Sequence, residues 1–237
     1  MTEIVLPARV VRYAFGALKL SMSNDEARPH MYGILMEGYR GKLNMLATDG
    51  HQMAIWEEKV SPKVPKGEWI VRADFVKWMV KLSSEICRVA KKDYTRFLNY
   101  GSPVLGREDW KGQDPIMVFD MDNKVVQHPF GETRIPITDE TFPRWRQVVP
   151  KWKELEESGG QSIASSGVTA FNSGYVAKAV KAIDMAVSAH KPSGIPQPVV
   201  IYSEGPLHPA VFRCSRARHY THVLMPIRAH DEEFGRE

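Results

Sequence analysis

The sequence predicts an α+β fold built from three successive β-α-β-β-β units. Three observations lead there. Amphipathic helical stretches recur three times along 237 residues, each after one short apolar run and before three more. Turn signals punctuate those runs, with Asp49-Gly50 and Asp122-Asn123 the clearest. A polar, glycine-ended segment at 151–160 sets the third unit apart from the first two.

In the first unit, 3–6 reads as a strand, and Pro7 stands where a helix begins. Residues 8–22 read as that helix, with Val11, Ala14, Phe15 and Leu18 as its apolar stripe and Arg9, Arg12 and Lys19 on another face. Strands are expected at 31–36, 42–47 and 52–57. In the second unit a strand at 69–71 precedes a helix capped by Asp74 and running to about residue 90. Phe75, Met79, Leu82 and Ile86 form its apolar stripe, while Lys77, Lys81 and Arg88 align on one face. Strands follow at 116–119, 124–127 and 133–137, after a long insertion at 92–115 that contains Tyr94, Tyr100 and Trp110. In the third unit a strand at 168–171 leads to a helix at 174–189, capped by Asn172 or Ser173, with Lys178 and Lys181 as its basic side. Its strands are expected at 199–203, 210–214 and 221–226.

Composition narrows the functional classes. A net charge of +4 and a pI near 9.0 are only weak indications of an anionic partner, so the placement of the cations matters more than their sum. No apolar run reaches the roughly 18 residues that span a bilayer. No basic-then-apolar leader pattern occurs, so a cytoplasmic protein with no membrane partner is expected. Cys87 and Cys214 stand in unrelated contexts and read as buried free thiols. Each helix pairs an apolar face with a basic one. For one helix that pattern only describes solvation. Three in equivalent positions would form a continuous basic surface if the units surround a centre, attracting phosphates without reading bases.

Several motifs, in order, resemble the bacterial DNA polymerase III beta subunit, or sliding clamp, family. Ala47-Thr48-Asp49-Gly50-His51 with Ala54 is similar to its middle-domain hairpin. Leu20-Ser21-Met22-Ser23, then Glu26-Ala27-Arg28-Pro29 and Gly33, resembles that domain's helix exit. The run 142–150, Phe-Pro-Arg-Trp-Arg-Gln-Val-Val-Pro, resembles the connector between middle and last domains. Phe171-Asn172 with Tyr175-Val176 resembles a helix entry in the last domain, and 223–228 its terminal Val-Val-Met-Pro-Met-Arg.

The resemblance implies a DNA-clamp fold with helices lining a channel and sheets outside. It implies one complete clamp domain at 1–150, made of half repeats 1–62 and 63–150, followed by a half domain at 151–237. It implies a non-enzymatic processivity factor in DNA replication that encircles duplex DNA without sequence preference, is placed there by a clamp loader, and tethers a polymerase or other DNA enzymes by their clamp-binding peptides. The DNA-facing residues would be Arg9, Arg12, Lys19, Lys77, Lys81, Arg88, Lys178 and Lys181. The peptide pocket would comprise Met31, Thr48, Gly50, His51, Met53, Pro143, Val148, Val223, Leu224, Met225 and Pro226. Gln52 and Gln147 replace arginines of the family at its rim. No metal or cofactor is implied.

The family ring holds twelve half-domain units. Three per chain therefore suggest a homotetramer, with chains alternating in direction so that unit three meets unit three and unit one meets unit one. The insertion at 92–115 has no counterpart in the family, and Asp231, Glu232 and Glu233 extend past its usual end. The alternative reading is a non-circular clamp-fold protein that binds DNA or peptides as a regulator or adaptor. A metal site at His208, Cys214, His219 and His222 is a weaker possibility, because a spacing of three on a strand puts His219 and His222 on opposite faces.

Overall fold

Unit 1 begins with β1 (Glu3–Pro7), whose last residue Pro7 launches α1 (Ala8–Leu18). It continues through β2 (Gly33–Tyr39), β3 (Lys42–Thr48) and β4 (Gln52–Glu58). Unit 2 comprises β5 (Gly67–Arg72), α2 (Ala73–Lys92), β6 (Ile116–Asp120), β7 (Val125–His128) and β8 (Gly131–Arg134), followed by the short β9 (Ile137–Thr138). Unit 3 comprises α3 (Ser173–His190), β10 (Val200–Ser203), β11 (Ala210–Arg213) and β12 (Tyr220–Leu224). The structure, a computed structural model, describes residues 2–60, 63–92, 114–151, 169–190, 198–205 and 207–227. Residues 93–113 of the expected insertion, most of the linker and the acidic tail lie outside them.

Several expected boundaries shift for identifiable reasons. The helix expected at 8–22 stops at Leu18 and tightens into a 3₁₀ turn at Lys19–Ser21. There the Gln52 amide donates to the Leu20 carbonyl at 3.0 Å, satisfying a helix-end acceptor. The strand expected from 31 starts at Gly33, because the Met31 and Tyr32 N–H groups close a turn onto the Arg28 carbonyl. Asp74 is not a cap: α2 starts one residue earlier, and the Asp74 carboxylate accepts from the Tyr32 hydroxyl at 3.1 Å. The strand expected at 133–137 breaks into β8 and β9, with Pro136, which has no N–H to donate, between them. Asn172 caps α3, accepting from the Gly174 N–H at 2.9 Å. Of the strand expected at 168–171, the described part makes one bridge, Ala170 to Ile227.

The topology joins units by exchanging their first strands. β1 of unit 1 pairs with β6 of unit 2, and β5 of unit 2 pairs with β2 of unit 1, both antiparallel. Two sheets result, ordered β1-β6-β7-β8 and β10-β11-β12-β4-β3-β2-β5-β9. The second crosses from unit 3 to unit 1 through β12 and β4, with Tyr220 opposite Trp56 and His222 opposite Ala54. Unit 1 therefore stands between units 3 and 2. This corrects the expectation that unit one meets unit one of another chain, since both of its flanks are already taken.

Alternation along the strands divides the core in two. Ile34, Met36, Met45 and Trp56 point toward the helices and join the main core with Phe15, Leu18 and Met79. Leu35, Leu46, Met53 and Ile55 point the other way, where Phe142, Trp145 and Val149 of the connector cover them. Both faces are thus buried, which is why β2 to β4 read as nearly continuous apolar runs. Among the helices, α1 lies between α2 and α3, and Met185 of α3 sits over Gly16. Gly38 on β2 passes so close to the chain at 64–65 that a Cβ there would overlap the Pro65 carbonyl oxygen. Gly38→Ala is expected to cost roughly 1–3 kcal/mol, read as a lower urea midpoint at unchanged slope.

Candidate functional site

The β3–β4 hairpin is held by its own polar side chains. Thr48 donates its hydroxyl to the Gln52 carbonyl at 2.8 Å and accepts from the Gly50 N–H at 3.1 Å. The Asp49 carboxylate accepts from the His51 and Gln52 N–H groups at 2.9 and 3.1 Å. Gly50 has φ +93°, which Gly adopts without strain. The Met225 N–H then donates to the His51 carbonyl at 2.9 Å, so the segment following β12 is pinned to this hairpin.

Beside the hairpin lies a cleft of about 320 Å³ between units 1 and 3, roofed by the connector. It is lined by Met31, Thr48, Gly50, Gln52, Met53, Pro143, Arg144, Trp145, Gln147, Val148, Val223 and Met225. Most of the expected pocket residues meet here. His51, Leu224 and Pro226 do not line it. Leu224 faces the helix-side core at 1% exposure, and His51 stands at the margin with its ring stacked 6.0 Å from Tyr175 of unit 3. Gln52 and Gln147, expected at the rim, line the cleft, and Arg144 and Trp145 line it without having been assigned to it by sequence. The signal for Arg144 and Trp145 was the connector run itself, of which residues 143–145, 147 and 148 line the cleft.

The connector is fastened by a charge pair whose carboxylate is buried. Glu37 on β2 is 3% exposed, and Arg146 reaches it with two parallel N–H···O bonds of 2.8 and 2.7 Å. Asn44 on β3 donates a third bond to the same carboxylate at 2.9 Å. The Arg146 guanidinium also lies 4.3 Å from the Tyr39 ring and 4.2 Å from the Trp145 ring. Hydrogen bonding to Glu37 raises the Arg146 pKa further, so it stays charged.

The helices carry the other candidate surface. Arg12, Lys19, Lys77, Lys81, Arg88 and Lys181 are exposed, and Arg9 and Lys178 are half-buried. Arg9, Arg12, Arg88 and Lys91 line one cleft between α1 and α2, with Tyr13, Cys87 and Asp114. Arg9 approaches Asp114 at 3.8 Å and Arg88 binds Glu85, so part of that charge is locally paired. Lys77 lies 5.8 Å over Tyr32. Lys178 turns away from Lys181, 5.0 Å over the Tyr175 ring and close enough to His222 to disfavour its imidazolium. Cys87 is half-buried and Cys214 buried, both unoxidised, and desolvation pushes the Cys87 thiol up to about 11.

The histidines weighed as metal ligands separate. His222 is fully buried, with Nδ1 at 2.8 Å from the Tyr220 hydroxyl, while the His219 ring packs 4.5 Å from Trp56. Among the described residues no three His, Cys, Asp or Glu side chains gather to hold a metal, and no helix is long and apolar enough to cross a membrane.

No protein-family model matches the sequence, and no curated protein does. Solved structures do match. The DNA polymerase sliding clamp from Pseudomonas aeruginosa superposes with a TM-score of 0.66 at 14% identity, covering 96% of this chain and 66% of that one. The DNA polymerase III beta subunit from Thermotoga maritima gives a TM-score of 0.68 at 14% identity, covering 97% of this chain and 66% of that one. The Bacillus subtilis sliding clamp gives 0.66 at 12% identity, covering 96% and 64%. This chain spans about two thirds of their length. Nearly all of it, in strand-exchanged units with helices on one side, follows the fold of the DNA polymerase III beta-subunit sliding clamps.

Proposed function

We propose that the chain is a non-catalytic sliding clamp that closes as a ring around duplex DNA and holds DNA-replication enzymes by peptides seated in the cleft. The observation that carries the reading is the division of the molecule into two unlike surfaces. All three helices lie on one side of the sheets with their free cations, and an apolar, partly aromatic cleft opens at the unit 1–unit 3 junction. The helix side suits phosphates at any sequence. The cleft suits an extended peptide with apolar anchors, and Met31, Met53 and Met225 let it adapt to different ones.

Spatial order 3-1-2 supports a ring of four chains. Two kinds of junction alternate within the chain: last strands pair between units 3 and 1, and first strands are exchanged between units 1 and 2. Continuing the alternation requires unit 2 to meet unit 2 through the edge of β8 that is unpaired among the described residues, and unit 3 to meet unit 3. Both contacts are two-fold, so twelve units close with dihedral symmetry. A loader is needed only if that ring is closed before it meets DNA.

Retention on DNA tests the proposal. Protein placed on nicked circular DNA should stay bound through gel filtration and escape once the circle is linearised. Equal retention on both forms would overturn the ring. Charge removal at Lys81, Arg88 and Lys181 together should lower the magnitude of the slope of log affinity against log salt by about 2–3, each lost phosphate contact contributing roughly 0.9.

The cleft is complete within one chain, which favours a second reading as a peptide-binding adaptor that forms no ring. Under that reading, extended peptides with apolar anchors still bind, while DNA retention does not depend on circularity.

A further inference from the structure

Unit 3 has the architecture of half a domain whose other half is missing among the described residues. In units 1 and 2 the strand after each helix, β2 or β6, receives on its outer edge the first strand of the other unit. The equivalent strand, β10, ends its sheet with nothing beyond it among the described residues. The segment that should be exchanged is present. The end of β5 is bridged by its own unit's tail, Ile137 opposite Val71, three residues after β8 ends. Ala170, one residue farther from its helix than Val71 is from α2, is likewise bridged by Ile227, three residues after β12 ends. β5 then offers its other edge to β2.

Burial points to the same gap. Ile116 and Met117, which start β6, are 4% and 0% exposed under β1, whereas Val200 and Ile201, which start β10, are 43% and 39% exposed. Phe15, the eighth residue of α1, is fully buried with its ring 6.2 Å from Phe119 of unit 2. Val180, the eighth residue of α3, is 39% exposed. β10 carries no charged side chain to discourage pairing.

We propose that unit 3 pairs with unit 3 of a second copy of this chain by reciprocal strand exchange, each 169–172 segment adding to the other's β10 and Val180 packing across the two-fold. Because the same edge is offered and accepted, the contact is self-complementary and closes after two chains. The internal exchanges also set its register. The residue before the helix lies opposite the first residue of the receiving strand, Pro7 with Ile116 and Arg72 with Gly33. Applied to unit 3, this puts Asn172 opposite Val200 and Thr169 opposite Ser203 of the other copy. The inference deepens the ring reading and rests on it only for the total of four chains.

The test is a disulfide between copies. In the full chain, Thr169→Cys with Ser203→Cys should give, on mild oxidation at micromolar concentration, a covalent dimer as the main species on a non-reducing gel. Neither single variant nor the unaltered chain, with its own Cys87 and Cys214, should do so. Adding Val180→Arg should cut the yield at least tenfold while leaving peptide binding in the distant cleft intact, which shows that the chain remains folded. A monomer with an internal disulfide, or no disulfide in folded protein, would overturn the exchange. Retention on circular DNA without the crosslink also overturns it and leaves the ring to another contact. The crosslink without such retention supports the exchange and removes the ring.

Discussion

Replacing Arg146 by alanine should cost about 3 kcal/mol of stability and weaken the proposed peptide binding in the cleft. The Glu37 carboxylate is 3% exposed and takes two of its three side-chain hydrogen bonds from Arg146. Without the guanidinium, only Asn44 would compensate a buried charge. The arginine side chain is itself 44% exposed, which places the cost toward the lower end of the range for broken buried pairs. Glu37→Gln should be milder, because the freed guanidinium can still reach water and keeps its contacts with Tyr39 and Trp145. Arg146→Lys should fall nearer to alanine, since an ammonium cannot make two parallel bonds or lie flat between rings. The functional loss follows from position. Arg146 anchors the run that supplies Pro143, Trp145, Gln147 and Val148 to the cleft. Urea midpoints with a peptide titration followed by tryptophan fluorescence check both effects. An Arg146→Ala protein with unchanged stability and affinity would show that the connector is seated by its apolar residues alone.

The second large effect is acid sensitivity well above the carboxylate range. Burial pushes the pKa of His222 down to about 3, with Lys178 adding to the effect, and burial alone pushes His128 down to about 4. Both are neutral when folded, while an unfolded histidine titrates near 6.5. Between pH 6.5 and 4 the unfolded chain therefore binds more protons, so stability rises with pH there and is lost as pH falls. At pH 5 the two together should remove on the order of 4 kcal/mol relative to neutral pH, at about 1.4 kcal/mol per histidine per pH unit. Asp74 and Asp122, whose carboxyls are held below their usual range, lose their contribution only below about pH 4, so the upper window belongs to the histidines. His128 Nδ1 accepts from the Phe130 N–H at 3.3 Å, and a proton there would break that bond. His128→Asn can keep the acceptor without titrating and should roughly halve the slope of stability against pH between 6 and 5. His222 lies on β12 opposite Ala54, so acid should also loosen the unit 1–unit 3 junction and weaken the cleft. A flat stability profile from pH 7 to 5 would contradict both assignments.

Local features read well from sequence because their causes are local. The apolar stripes of α1 and α2 and the Asp49-Gly50 hairpin each depend on neighbours within a few positions. Asp74 was misread as a cap because its partner, Tyr32, lies far away in the chain. The strand expected at 133–137 failed at Pro136, whose missing N–H was in plain view. Glu37, Asn44 and Arg146 left no periodic mark, since a buried charge is recognisable only when its partner is in place.

By itself, the sequence determined the unit type, its threefold repetition and the basic helical faces, while its resemblance to the clamp family pointed to most of the residues that meet at the cleft. Side-chain periodicity and turn chemistry encode which face of an element is apolar and where the chain reverses. Only the tertiary structure decided that unit 1 stands between units 3 and 2, that the connector roofs the outer face of the sheet, and that one edge of β10 has no partner among the described residues. Those outcomes turn on which strand edges meet. Backbone N–H and C=O groups are the same at every residue but proline, so pairing between distant edges is selected chiefly by packing across the whole molecule rather than by a local pattern.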